Sequence, residues 1–197
     1  NMTTSHPYEG ERMDGTICFP LPEIKIRITD TEKSHKMASE KIGMIEIKGE
    51  NVFEGYWKMS DKTKESFTDD GYFVTGDLGK FSSDGYLSII GRNKDLIISG
   101  GLNIYPKEIE VVIDGINNVE ETAGIGVTNK DFGEAVVAVV VADRDKISES
   151  SIMEIVQTKL AKFKQPKKII FVNALPRNAM GKVQKQNLRN NYNKLFN

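Results

Sequence analysis

Asp77 is the first residue whose type and setting could do chemistry. It follows Gly76 in Tyr72-Phe-Val-Thr-Gly-Asp77, where the strand-like run Tyr72–Thr75 is predicted to break. Because glycine has no side chain, a ligand can approach the backbone beside Asp77. The carboxylate could then accept two hydrogen bonds from vicinal hydroxyls, such as those of a ribose. The alternative is a turn aspartate that accepts hydrogen bonds from local N–H groups.

Two basic residues could bind phosphates or carboxylates. Arg92 follows a strand-like run that ends at Gly91, and a guanidinium binds phosphate or hydroxyl in a fixed fork. Lys182 follows Gly181 in a mobile glycine loop between a predicted strand and a predicted helix, where its ammonium could neutralise developing charge. The ordinary alternatives are a surface ion pair for Arg92 and a solvated side chain for Lys182. The loop is not a phosphate-binding P-loop, because the glycine spacing and Lys-Ser/Thr pair of that motif are missing.

The stretch from Gly91 to Pro106 is predicted to organise the elements around these residues. Two apolar strand-like pieces, Leu96–Ile98 and Leu102–Tyr105, flank Ser99-Gly100-Gly101. Adjacent glycines between such pieces predict a tight hairpin with positive φ angles, which we call the flap. Pro106 then predicts a helix start, since its missing N–H is not needed there. An ordinary surface hairpin would have the same pattern.

The remaining pattern predicts an α+β fold. Short strands and turns fill residues 1–92, as in a small barrel or a sheet-rich subdomain. Residues 93–197 are predicted to form a small α+β domain with a three-stranded sheet, helices and the two-stranded flap. Ala135–Ala142 is nearly all apolar, which indicates a central strand buried on both faces. The predicted helices are Pro106–Ile113, a helix capped by Ser148, and a closing helix over Gln184–Phe196.

Composition excludes several classes of protein. The 197 residues carry 27 basic and 28 acidic side chains, so no global field favours nucleic acid or a membrane surface. The single cysteine, Cys18, excludes an intrachain disulfide, and neither a Cys/His pairing nor a metal-spaced partner for His6 or His35 is indicated. Without a bilayer-spanning run or a signal peptide, we expect a soluble cytoplasmic protein. Five lysines between positions 159 and 168 could hold the phosphates of a nucleotide-like cofactor or form a solvated face.

Four stretches of the chain together indicate a protein family far more specifically than any one of them does alone. In order, they are Phe73-Val-Thr-Gly-Asp77, Gly91-Arg-Asn-Lys-Asp95, Ser99-Gly-Gly-Leu-Asn-Ile-Tyr-Pro-Lys-Glu-Ile-Glu110 and Leu175-Pro-Arg-Asn-Ala-Met-Gly-Lys182. In this combination the chain resembles the C-terminal third of the AMP-forming acyl-CoA synthetases, a family that includes luciferases and peptide-synthetase adenylation domains. The resemblance covers essentially the whole chain.

The resemblance implies a ligase that works in two steps. ATP and a carboxylate give an acyl-adenylate and pyrophosphate, and the thiol of CoA then displaces AMP. By motif position, Asp77 and Arg92 would bind the ribose hydroxyls, and Lys182 would be the catalytic residue that bridges the carboxylate and the α-phosphate. Lys94 would be the hinge about which the small domain rotates between the steps. The Gly100-Gly101 pair would line the tunnel for the pantetheine arm of CoA.

The resemblance also implies that the chain is a fragment, in which residues 1–92 are the β-rich end of the large domain and residues 93–197 are the whole small domain. The family's phosphate loop, the glutamate that holds Mg²⁺ and most of the acyl pocket would lie upstream of residue 1. We therefore expect the missing N-terminal portion of the same protein to complete the site, and this chain to be inactive alone. Ile98 stands where some family members carry a lysine, so no role of that lysine is carried over.

Malonate is the expected carboxylate. Within the family the chain most resembles malonyl-CoA synthetases, on the stretches Asn1-Met-Thr-Thr-Ser-His-Pro-Tyr-Glu-Gly-Glu-Arg12, Asn51–Trp57 and Leu160–Lys168. The last two are shared widely in the family, and the first is more particular. Two alternatives stay open: a synthetase for another short or medium carboxylic acid, and a non-catalytic stand-alone module that binds a nucleotide or docks on a partner. The chain keeps the two residues expected to bind ribose together with the hinge Lys94 and the catalytic Lys182. This combination favours an enzyme.

Overall fold

The computed structural model describes residues 2–10, 12–30 and 35–196. The chain divides into two compact units, Asn1–Lys94 and Asp95–Asn197. The sequence predicts a boundary within Arg92–Asp95. Asn1 and Glu11, in the stretch that suggests malonate, lie outside the described residues. No helix among the described residues combines the length and the apolar character that crossing a bilayer requires.

The first unit is built on an open antiparallel sheet. Its elements are β1 (Thr4–Ser5), β2 (Phe19–Pro20), β3 (Lys25–Thr29), β4 (Gly43–Lys48), α1 (Ser60–Glu65), β5 (Phe73–Phe81) and β6 (Leu87–Arg92). Strands β3 to β6 pair in chain order, while β1 and β2 pair with each other as a separate ribbon. Ile28, Ile45 and Leu87 form the buried cluster of this unit.

An ion-pair network crosses this sheet at Arg27, in the middle of β3. Arg27 Nε donates to Glu46 of β4 at 2.6 Å, and its two terminal nitrogens donate to the Asp70 carboxylate at 2.6 and 3.0 Å. The guanidinium also lies 3.9 Å from the centre of the Tyr72 ring. Glu46 is buried and accepts a further hydrogen bond from Thr29 Oγ1 at 2.8 Å. The bidentate contact with Arg27 stabilises the charged carboxylate and lowers the pKa of Asp70 to about 2.

One strand of the first unit is longer than the sequence predicts. β5 does not break at Gly76-Asp77 but runs through both residues to Phe81. The prediction that Asp77 lies at a strand end is therefore wrong. The strand continues because a β-bulge at residues 75–77 accommodates the irregular backbone of the glycine.

The second unit is a five-stranded sheet with helices packed against it. Its elements are β7 (Ile97–Ser99), β8 (Leu102–Ile104), α2 (Pro106–Asp114), β9 (Val119–Asn129), β10 (Gly133–Ala142), α3 (Glu149–Lys159), β11 (Lys168–Phe171) and α4 (Lys185–Tyr192). β9, β10 and β11 form the predicted three-stranded sheet. The flap strands β7 and β8 extend this sheet through the pairing of Ser99 with Gly133.

The predicted central strand is confirmed as β10. It pairs with β9 along one edge and with β11 and β7 along the other, and every residue from Ala135 to Val141 is buried. Because side chains alternate across a strand, β10 contributes to two clusters. One cluster contains Val136, Ala138 and Val140 with Ile109 and Ile113 of α2 and Ile152 and Val156 of α3. The other contains Val137, Val139 and Val141 with Leu188 of α4.

Local signals set most of the helix ends. Pro106 occupies the first position of α2, as predicted. Ser148 caps α3, since its Oγ accepts a hydrogen bond from Ser151 N at 3.2 Å. The closing helix is shorter than the predicted Gln184–Phe196, because α4 ends at Tyr192. Asparagines at positions 190, 191 and 193 have weak helix propensity, which favours this early end.

Helices α2 and α3 of the second unit provide a matched test of burial. Val156 of α3 is fully buried, whereas Val111 of α2 is 57% exposed. We expect Val156→Ala to lower the free energy of unfolding by about 2–3 kcal/mol, from lost burial and the cavity left behind. Val111→Ala should change it by about 0.5 kcal/mol or less. Urea titrations followed by circular dichroism measure both, and equal losses would contradict the assigned core.

The contact between Arg27 and Asp70 predicts a pH dependence. The pKa of Asp70 is lowered to about 2 in the fold, against about 3.9 in an unfolded chain, so its stabilising contribution is complete above about pH 4. That contribution is lost as the pH falls through about 2, where the folded carboxyl becomes protonated. The difference in unfolding free energy between the wild type and Asp70→Asn should therefore shrink from pH 4 to pH 2.

Asp69→Asn is the control for this measurement, because Asp69 is the exposed neighbour of Asp70 and makes no ion pair with the described residues. The difference in unfolding free energy between the wild type and Asp69→Asn should stay nearly constant over the same pH range. A difference for Asp70→Asn that persists undiminished at pH 2 would contradict the ion pair.

Candidate functional site

The first part of the candidate site lies at the bulge in β5. The residues between Val74 and Leu78 lie opposite a single residue of β4. Gly76, in the middle of the bulge, has a φ of 75°, a left-handed value that glycine adopts without steric cost. Next to the bulge, Asp77 is in register with Arg92 of β6, where the pairing of β5 with β6 has its own shift between Leu78 and Gly79.

Asp77 and Arg92 form an ion pair across β5 and β6. Arg92 Nε lies 2.7 Å from Asp77 Oδ1, and a terminal nitrogen of Arg92 donates to the Thr75 carbonyl at 3.4 Å. The Arg92 side chain is 50% exposed and that of Asp77 is 24% exposed, so solvent reaches both. The surface ion pair considered for Arg92 is thus formed, and its partner is the other candidate residue of this unit.

This pair can bind a diol. A carboxylate accepts hydrogen bonds only, whereas a guanidinium donates them only, so adjacent hydroxyls could donate to Asp77 and accept from Arg92. The charged partner makes each contact stronger than one between neutral groups. Mutual pairing also holds both side chains in one arrangement before any ligand arrives, which lowers the entropic cost of binding.

Thr75 supports the pair and was missed by reasoning from sequence. Its Oγ1 donates to the Ile45 carbonyl of β4 at 2.8 Å and accepts from Asp77 N at 3.0 Å. The hydroxyl therefore satisfies backbone groups that the bulge removes from the strand ladder. A threonine two residues before the aspartate is a local signal that could have identified this role.

Lys94 lies at the boundary between the two units. It is exposed and belongs to a short 3-10 turn, Asn93–Asp95, that spans the division between Lys94 and Asp95. On the side of the second unit, Asp95 accepts a hydrogen bond from Arg189 of α4 at 3.0 Å. The chain is therefore anchored immediately after Lys94, while the Lys94 side chain itself lies in solvent.

The flap forms as predicted, with Gly100 and Gly101 at its tip. Their φ angles are 58° and 80°, so both residues need the left-handed conformation of a tight hairpin turn. A Cβ on Gly101 would meet no atom within 4 Å, which shows that backbone conformation rather than space within this unit selects glycine. Gly100 N donates to the Phe132 carbonyl at 2.8 Å, and Ile98 N donates to the Glu134 carboxylate at 2.8 Å.

Lys182 lies in a closed turn between β11 and α4. Asn178 N donates to the Lys182 carbonyl at 3.0 Å, and Gly181 N donates to the Asn178 carbonyl at 2.9 Å. The Asn178 side-chain oxygen accepts from Met180 N at 3.0 Å and from Lys182 N at 2.9 Å. Gly181 has a φ of 76°, the left-handed value that closes the turn. These bonds restrain a backbone that the sequence suggests is mobile.

The Lys182 ammonium is available to a ligand. Lys182 is exposed, and within residues 2–10, 12–30 and 35–196 no carboxylate lies within ion-pair distance of its Nζ. A fixed backbone with an unpaired ammonium can present a positive charge to phosphate or carboxylate oxygens. Electrostatic stabilisation of this kind needs no proton transfer.

The basic cluster predicted between positions 159 and 168 is partly neutralised. Lys164 Nζ lies 2.5 Å from Glu108 of α2, and Lys168 Nζ lies 3.0 Å from Glu149 of α3. Lys167 lies over the Phe132 ring at 4.8 Å from its centre. Two of the five lysines are therefore paired with carboxylates, which reduces the positive charge available to the phosphates of a cofactor.

The predicted site residues fall into two groups. Asp77 and Arg92 are together in the first unit, whereas Gly100, Gly101 and Lys182 belong to the second unit. In the described part of the chain, no cluster of His, Cys, Asp and Glu side chains could hold a metal ion. The described residues therefore do not fit a Mg²⁺ site.

Comparisons with known proteins show what the chain is similar to. Residues 108–182 match the AMP-binding enzyme C-terminal domain family. The whole chain is similar to ATP-bound MatB from Rhodopseudomonas palustris, with 52% identity, a TM-score of 0.94 and coverage of 39% of that chain.

Curated relatives extend the comparison. The long-chain-fatty-acid–CoA ligase FadD13 of Mycobacterium tuberculosis is 47% identical over 76% of this chain, which corresponds to 30% of the relative. The malonate–CoA ligase of Arabidopsis thaliana is 36% identical over 95% of this chain, which corresponds to 32% of the relative. The chain thus spans about a third of the length of these relatives. It belongs to the AMP-forming acyl-CoA synthetase family and corresponds to the C-terminal portion of its members.

Proposed function

We propose that this chain is the C-terminal part of a longer ligase that joins a carboxylate to CoA through an acyl-adenylate, with malonate as the carboxylate. The observation that carries the proposal is the unpaired ammonium of Lys182 on a hydrogen-bonded turn, in a chain whose curated relatives are CoA ligases. A fixed cation of this kind suits a reaction in which negative charge builds up between a carboxylate and a phosphate.

The proposed reaction has two steps. In the first, a carboxylate oxygen attacks the α-phosphorus of ATP and pyrophosphate leaves. Lys182 bridges the carboxylate and the α-phosphate and stabilises the charge that develops between them. In the second step, the CoA sulfur attacks the acyl carbon of the adenylate, the thiol proton is lost, and AMP leaves.

Asp77 and Arg92 bind the ribose hydroxyls of ATP and AMP in this proposal. Their ion pair of 2.7 Å supports the role, since it sets acceptor and donor groups side by side at a solvent-accessible edge. The same pair serves both steps, because the ribose remains bound while the phosphates and the acyl group change.

Lys94 and the flap act in the change from the first step to the second. Lys94 acts as the hinge, which its place at the division between the two units supports. The Gly100-Gly101 tip lines the path of the pantetheine arm, where a backbone without side chains leaves room for a thiol chain. Magnesium accompanies ATP in the family, but no step is assigned to it here because the described residues do not fit a Mg²⁺ site.

Malonate is supported by one similarity, and other carboxylates compete with it. The Arabidopsis malonate–CoA ligase is 36% identical over 95% of this chain. A ligase for longer fatty acids is the second candidate, because FadD13 is 47% identical over 76% of the chain. The upstream part of the protein would carry most of the acyl pocket and would decide between them.

Lys182→Ala in the longer enzyme tests the proposed reaction. We expect adenylation, measured as malonate-dependent exchange of labelled pyrophosphate into ATP, to slow by about 100-fold or more. Formation of the thioester from supplied malonyl-adenylate and CoA should change by about twofold or less, since Lys182 acts in the first step. Lys194→Ala, which removes another exposed lysine of this unit, is the matched control and should leave both steps unchanged.

Two outcomes would contradict the proposal. Equal slowing of both steps by Lys182→Ala would show that the lysine does not act in adenylation alone. Pyrophosphate exchange that requires a long-chain fatty acid and ignores malonate would favour the second candidate.

A further inference from the structure

We propose that Arg177 is a positioning residue for Lys182 and that its ion pair with Glu121 of β9 enables this role. The inference rests on the proposed function of Lys182 and adds a residue that acts through it. Arg177 lies five positions before Lys182, on the opposite side of the Asn178–Gly181 turn. It makes contact with both the turn and the sheet.

The peptide group between Gly181 and Lys182 is held at both ends. Arg177 Nη1 donates to the carbonyl oxygen of Gly181 at 2.6 Å. The N–H of the same peptide plane, which belongs to Lys182, donates to Asn178 Oδ1 at 2.9 Å. A planar peptide restrained at its oxygen and its nitrogen has little freedom to rotate. Together these contacts set the direction in which the Lys182 side chain leaves the backbone.

Glu121 holds the arginine in place. Arg177 Nη2 donates to the Glu121 carboxylate, and β9, which carries Glu121, is paired along its length with the buried strand β10. A long, partly exposed arginine loses rotamer freedom when it binds a single carbonyl. The fixed carboxylate and the planar guanidinium reduce that cost, because one orientation of the fork satisfies both acceptors. The ion pair therefore links the orientation of the Lys182 peptide to the sheet.

A second ion pair holds the turn on the side of α4. Lys185, at the start of α4, lies 2.6 Å from Glu110 of α2, and Glu110 also accepts from Gly124 N at 3.0 Å. Glu110 is buried, so its removal would leave a backbone N–H without a partner inside the unit. Substitution of Arg177 is the cleaner test, because its side chain and that of Glu121 are 44% and 31% exposed.

The proposal is tested by Arg177→Ala in the longer enzyme, with the rates of the two partial reactions, adenylation and thioester formation, measured separately. We expect adenylation to slow by about tenfold, because the ammonium loses its fixed direction while its charge remains. Thioester formation from supplied acyl-adenylate should change by about twofold or less. Lys146→Ala removes an exposed ion pair with Asp143 elsewhere in the same unit, and should leave both steps unchanged.

A double variant distinguishes positioning from general damage. Since Arg177 acts through Lys182, adding Arg177→Ala to Lys182→Ala should slow adenylation by no more than about twofold beyond Lys182→Ala alone. A further tenfold loss in the double variant would overturn the proposal, as would equal slowing of both partial reactions by Arg177→Ala.

Hydrogen exchange of the 197-residue chain gives a readout that does not depend on activity. The Lys182 amide should exchange faster in Arg177→Ala than in the wild type, while the melting temperature and the amides of β10 stay unchanged. An unchanged exchange rate of the Lys182 amide would overturn the positioning role of Arg177 even if the proposed function is right. If Lys182→Ala leaves adenylation intact, the proposed function fails, and the exchange result still decides whether Arg177 orients this peptide.

Discussion

Burial of β10 on both faces is the constraint on which the second unit depends. Its side chains from Ala135 to Val141 are all buried, and those from Val136 to Val141 alternate between two apolar clusters. One cluster packs against α2 and α3, and the other packs against α4. A strand of this kind cannot shift its register by one residue without exchanging its two faces. The neighbouring strands and helices are therefore fixed in position relative to β10.

The candidate residues of the second unit are held by this sheet at short range. The flap joins β10 through the pairing of Ser99 with Gly133, and Glu134 of β10 accepts from Ile98 N. The turn before Lys182 joins the sheet through Arg177 and Glu121. In the first unit the pairing of β5 with β6 sets Asp77 opposite Arg92, next to the bulge in β5. In both units the candidate side chains lie next to an irregular backbone at glycine, and regular strands hold that backbone.

Patterns local in sequence predicted much of this fold. The Gly100-Gly101 hairpin, the start of α2 and the central strand each follow from adjacent residues and are confirmed. Predictions failed where residues distant in sequence determine the local structure. A glycine suggested a strand end at Asp77, but pairing with β4 and β6 carries β5 through it. Likewise, pairing of β1 with β2 brings His6 Nδ1 within 2.7 Å of Cys18 Sγ, a contact that no local pattern indicates.

We propose that this chain forms a carboxylate–CoA ligase only together with an upstream portion of the same protein. Release of AMP from ATP in the presence of Mg²⁺ and CoA, measured with and without malonate, is the decisive experiment. We expect malonate-dependent AMP from the longer enzyme and none from the 197-residue chain alone. Malonate-dependent AMP from the chain alone would contradict the divided site. Absence of AMP from the longer enzyme with every carboxylate tried would contradict the ligase itself.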